Sequence, residues 1–179
     1  TKLKIIMIKL KKAALAVIVL ALTATTYAQT PQRVYEQIYR SSYKVATDKS
    51  EDTEIRKIAS FKVDAISYLK TKTLEALSVS DKELTPKEIA HLNSRLDSMA
   101  YYMYDYVNLY LKNFAKAANE KEQDRVKKIF RDASINNPLY GDKDDEVILA
   151  YYNREDYPTQ FSLDTNWIVA LEEVKKQLK

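Results

Sequence analysis

Cysteine is absent from the 179 residues, histidine and glycine each occur once, and proline occurs four times. Without cysteine there is no disulfide framework, so the chain relies on packing to hold its fold. With a lone histidine besides, a zinc or haem site would lack its usual ligands, and no cofactor is expected. The single glycine, Gly141, excludes the glycine-rich loops of P-loop and Rossmann proteins, where a side chain would collide with the phosphate. Sandwiches and barrels need a turn signal about every 8 to 12 residues, whereas here long tracts rich in Ala, Leu, Lys and Glu run between few turn residues. Helix is the element such tracts favour.

One long apolar run is present, the twelve residues Ala13 to Ala24. Lys9, Lys11 and Lys12 precede it, and Thr26-Tyr27-Ala28 offers small residues before Gln29, so Met7 to Ala28 reads as a cleavable secretory signal with Thr1 to Ile6 upstream. A membrane span needs about 20 apolar residues, and this run stops short in Thr23, Thr25 and Thr26. Residues 1–28 are therefore expected to be lost, with 29–179 forming one domain that contacts the membrane only through its signal during export.

Removing the signal changes the charge balance. Five of the 29 Lys and Arg residues lie in 1–28, leaving 24 against 25 Asp and Glu, a formal charge of about −1. Gripping a phosphate backbone takes a surplus of basic side chains, so nucleic acid is not an expected partner.

The apolar spacing predicts an antiparallel up-down bundle of four to five helices. A first helix is expected from Pro31 to Asp48, with Val34, Ile38 and Val45 on one face beside Tyr35, Tyr39 and Tyr43. A second, from Asp52 to Leu77, places Ile55, Ile58, Phe61, Ala65 and Leu69 together. Thr85-Pro86-Lys87-Glu88 carries a capping hydroxyl, a first-turn proline and a carboxylate able to reach back to the cap amide. The helix it starts has a seam from Ile89 through Leu92, Leu96, Met99, Met103, Tyr106 and Tyr110, and is apolar over most of its circumference between Met99 and Leu111. Such a helix belongs at the centre. Asn119 and Glu122 suggest a break and a fourth helix to about Ala133, with one continuous helix as the alternative. Residues 134–163 are irregular, with Val147 to Tyr152 as a helical turn or a buried strand. Asp164 or Thr165 is expected to cap a last helix through Trp167, Ile168, Leu171, Val174 and Leu178.

Few residues suggest chemistry. His91 and Ser94 lie one turn apart on the third helix, but no strained elbow or oxyanion hole accompanies them, so helix surface is the expected role. Asp142, Asp144 and Glu146 alternate like the start of a calcium loop, without the sharp-turn glycine or the distal glutamate of an EF-hand. The competing role is helix capping by Asp144 or Asp145. Thirteen tyrosines follow the signal. Tyr35, Tyr39, Tyr102, Tyr106 and Tyr110 fit a core whose hydroxyls reach surface partners. Tyr101, Tyr151, Tyr152, Tyr157 and Trp167 are the expected exposed aromatics and the candidate partner-binding residues.

Leu84-Thr85-Pro86-Lys87-Glu88 resembles the LTxxQ signature of small helical periplasmic stress chaperones over those five residues, with Glu88 in place of the glutamine and no second copy. The resemblance implies an exported, non-catalytic cradle for unfolded clients. Its basic concave face has no counterpart in a chain of charge about −1.

The expected function is that of a non-catalytic secreted or periplasmic helical protein acting as a protein-interaction or assembly module, through a partner protein or copies of itself. A chaperone-like periplasmic binder is the first alternative. An enzyme of unrecognised type using carboxylates in 142–156 is the second.

Overall fold

A computed structural model describes residues 33–78 and 83–179. The expected signal, Met7 to Ala28, and the expected first-turn Pro31 lie outside the described residues. Among the described residues the chain is all-α, with helices α1 (Val34–Thr47), α2 (Thr53–Ser78), α3 (Pro86–Lys116), α4 (Glu120–Ile135), α5 (Asp145–Ile148) and α6 (Trp167–Gln177). None of them is long and apolar enough to cross a membrane.

Local chemistry sets the helix ends. The Asp48 carboxylate accepts from the Ser50 amide and hydroxyl, at 2.9 and 2.6 Å, and turns the chain after α1. Asp52 then accepts from the Glu54 amide at 2.9 Å as α2 starts. Arg56 closes this hairpin from the side by donating to the Ala46 carbonyl at 3.2 Å. At the start of α3 the expected capping box forms: Thr85 Oγ1 accepts from the Glu88 amide, and Glu88 accepts from the Thr85 amide at 2.8 Å. The break at Asn119 is real. Asn119 accepts from the Glu122 amide at 3.0 Å, and Glu122 from the Ala118 amide at 2.7 Å.

α3 is the central helix, packed against α1, α2, α4 and α6. Its buried side chains are Leu96, Met99, Ala100, Met103, Tyr106, Val107, Tyr110 and Leu111. The seam reads correctly from Leu96 onward, but Ile89 at its start is 46% exposed. At 1.5 Å per residue, the 31 residues of α3 span about 46 Å and the 14 of α1 about 21 Å. The first turns of α3 run beyond the length of α1 and are exposed at residues 86–91.

The core is aromatic. Phe61 on α2 meets Tyr151, Phe161 and Trp167 edge-on, with ring centroids 5.2, 5.6 and 6.0 Å apart. Tyr106 meets Phe130, Phe161 and Trp167 at 5.1 to 5.3 Å and donates its hydroxyl hydrogen to the Phe130 carbonyl. Edge-to-face geometry is what ring quadrupoles prefer.

The expected irregular segment lies along α2, and Asp164 organises it. This carboxylate is 2% exposed and accepts from the Leu139, Tyr140 and Asp142 amides at 3.1, 2.9 and 2.9 Å. Gly141, at φ 64°, supplies the left-handed step that lets amides on both sides of it converge on one acceptor. Asp164 therefore does not cap α6, and neither does Thr165, whose hydroxyl bonds Ser134. The cap is Asn166, accepting from the Val169 amide. Val147 to Tyr152 resolves as the end of α5 and the turns after it.

Lys62 runs against the grain of this core. It is 5% exposed, and its ammonium lies over the Tyr104 ring at 4.6 Å, with no carboxylate within ion-pair distance among the described residues. Burial pushes its pKa down to about 8 from the ordinary 10.5. The native state thus binds fewer protons than the unfolded chain between about pH 8 and 10.5, and stability rises with pH across that window. Lys62→Met should stabilise the fold by roughly 1–3 kcal/mol at pH 7, and this advantage should shrink as pH rises through the same window. Thermal melts from pH 7 to 10 check this; a less stable Met variant at pH 7 contradicts it.

Candidate functional site

The charged face of α4 and the chain between residues 152 and 160 enclose an open cleft of about 600 Å³. This is within the size range of ligand sites, although its walls are polar where most such sites are apolar. From α4 come Asp124, Lys127, Lys128, Arg131 and Asp132, whose spacing puts them on one helical face. The opposite wall is Tyr152, Glu155 and Gln160.

That wall is irregular but pinned. Tyr151 and Phe161, on either side of it, both pack on Phe61. Between them Tyr157 packs edge-on against Tyr151 at 4.9 Å, with the Arg154 guanidinium 4.5 Å from its ring centre. Arg154 is bidentate to Asp156 at 3.1 Å and accepts through its carbonyl from the Gln160 amide group at 2.9 Å. Lys57 reaches from α2 to donate to the Asp156 carbonyl at 2.5 Å.

Charges within the cleft are unevenly satisfied. Lys128 pairs with Asp132 at 2.5 Å, and Lys127 sits 3.9 Å from Asp124. Arg131 has no ion pair among the described residues. Its guanidinium lies 4.1 Å from the centre of the Tyr152 ring, and its Nε is buried without a hydrogen-bond partner. The ring covers one side of the guanidinium, and no described residue bonds its edge donors, which suit a planar oxyanion.

The candidate residues divide. Tyr152 lines the cleft, and Tyr157 is half-buried behind it. Tyr101 is exposed as expected, at 51%, but it lies on α3 against Tyr102 and is not part of the cleft lining. The expected exposure of Trp167 and Tyr151 is wrong: they are 0% and 8% exposed. Both fill the space around Phe61, and the Tyr151 hydroxyl donates to Asp64 at 2.5 Å. Arg131, Lys127 and Lys128 were missed; their one sequence signal is a charged face on α4, which any solvated helix shows.

The calcium candidates are also corrected. Asp142 turns toward α2, where it pairs with Lys72 at 2.8 Å and accepts from the Tyr68 hydroxyl at 3.1 Å. Asp144 caps α5 by accepting from the Val147 amide at 3.3 Å, the alternative role expected for it. Glu146 is exposed on α5, and no group of three His, Cys, Asp or Glu among the described residues could hold a metal ion. His91 and Ser94 are exposed on the first turns of α3.

Comparison with protein families, curated proteins and solved structures finds no match to this chain.

The Lys72 hydrogen bond holds the Asp142 carboxyl down to about 2, below the ordinary 3.8. A depressed carboxyl contributes stability that is complete above about pH 4 and lost as pH falls through its folded value. Asp142→Asn should lower the melting temperature at neutral pH by roughly 2–5 °C. The two proteins should converge between pH 4 and 2, and a gap that stays constant there contradicts the assignment.

Proposed function

We propose that this chain is an exported, non-catalytic helical protein that docks a partner protein in the cleft between α4 and residues 152–160. The observation that carries the reading is Arg131: a guanidinium 4.1 Å from the centre of the Tyr152 ring, with no ion pair among the described residues, in a cleft whose far wall is pinned at both ends. Export rests on the Met7 to Ala28 segment.

A chaperone-like cradle needs a broad apolar concavity. The exposed large apolar residues Val34, Tyr43, Leu74, Ile89, Tyr101, Val147 and Val169 are instead spread over five helices, which favours docking at one polar cleft. For the enzyme reading, Asp142 and Asp156 in the 142–156 region are committed to Lys72 and to Arg154 and Lys57.

A photo-crosslinking residue at Gln160, expressed in the full chain in its native cell, should form a discrete protein adduct. The same residue at Tyr43, exposed on α1, should not. Adducts at neither position, or equally at both, contradict docking at the cleft.

A further inference from the structure

The docking reading leaves the chemistry of the partner open, and the cleft's charges constrain it. Its cations are Lys127, Lys128 and Arg131, and its carboxylates Asp124, Asp132 and Glu155, so the lining is formally neutral. Lys128 and Asp132 satisfy each other, and Lys127 and Asp124 do so loosely. What remains is one guanidinium and one carboxylate, Arg131 and Glu155, which share the cleft without an ion pair between them.

We propose, resting on the docking reading, that the cleft binds an extended segment of a partner protein that carries a single acidic residue, by seating that residue's carboxylate on the guanidinium of Arg131. A carboxylate matches the planar donor fork of a guanidinium bidentately, and Arg131 lines the cleft beside Tyr152. The neutral lining accepts a single negative charge more readily than a phosphate dianion, which would also face Glu155, Asp124 and Asp132. About 600 Å³ is far more than one ion fills and leaves room for neighbouring residues of a peptide.

Main-chain recognition has its partners as well. Among the described residues, the Tyr152 hydroxyl makes no hydrogen bond. Gln160 spends its amide N–H on the Arg154 carbonyl, which keeps its own oxygen available to a peptide N–H. Glu155 sets selectivity by repelling a second acidic residue close to the first and favouring a basic or neutral one.

The test selects a phage-displayed random heptapeptide library on the full protein, then measures affinities of the enriched sequences as synthetic peptides. They should share a single Asp or Glu, and replacing it by Asn or Gln should weaken binding about tenfold or more. Arg131→Gln should produce a similar loss and Arg131→Lys a smaller one. Glu155→Gln should tighten binding a few-fold, a change that misfolding cannot imitate. No enrichment, enrichment without an acidic residue, or an acidic preference that survives Arg131→Gln overturns the proposal. So does displacement of the peptides by inorganic phosphate at concentrations where acetate has no effect, which would mark a general oxyanion site. If the Gln160 crosslink captures a partner while these peptide results fail, docking stands and the carboxylate inference falls. If the crosslink fails, docking itself falls.

Discussion

The centre of this structure and its cleft wall depend on the ring of Phe61. A chain without disulfides must gain its cohesion from burial, and Phe61 receives the edges of Tyr151, Phe161 and Trp167, each from a different stretch of chain. Trp167 and Phe161 in turn meet Tyr106 on α3, and Tyr106 meets Phe130 on α4. Such pairs contribute roughly 0.5–1.5 kcal/mol each beyond the area they bury. The cluster joins four helices, and it also fixes both ends of the 152–160 wall, which has no regular structure to hold it. Core and cleft thus share one anchor.

Polar groups finish what the rings begin. Asp164 gathers the Leu139, Tyr140 and Asp142 amides, which docks the loop against α2, where Asp142 meets Lys72 and the Tyr140 hydroxyl meets Thr73. These groups find partners, the condition under which burying polar groups is tolerated, whereas the buried Thr159 hydroxyl and Trp167 Nε1 have none among the described residues. Two cations, Lys62 and Arg131, also lack an ion pair among the described residues. Lys62 is buried against Tyr104, a cost to stability that no visible function offsets. Arg131 also lacks a carboxylate, but it opens onto a cleft where one could arrive.

The helices were legible because their determinants are local. The Thr85–Glu88 box and the Asn119 cap lie within one turn of the amides they satisfy, and the seam from Leu96 to Tyr110 repeats at helical spacing. The last cap was not legible, since Asp164, Thr165 and Asn166 are three successive capping residue types. What separates them is tertiary: amides some 22 to 25 positions earlier claim Asp164, and Ser134 claims Thr165. Tyr151 and Trp167 misled for a related reason, because aromatics in or beside aperiodic sequence carry no face to assign. The cleft was hidden altogether: its α4 wall reads as an ordinary solvated face, and its other wall has no period to place Tyr152 opposite Arg131.

Trp167 is the sole tryptophan and is 0% exposed within the Phe61 cluster, so its emission reports on that cluster alone. Far-UV circular dichroism reports on the helices. The most direct test follows both signals through one denaturant titration of the full chain. If the cluster is the common anchor of bundle and cleft wall, the two transitions coincide, with blue-shifted Trp167 emission persisting until the helices are lost. Loss of the Trp167 signal at a lower denaturant concentration, with helicity intact, would contradict the account.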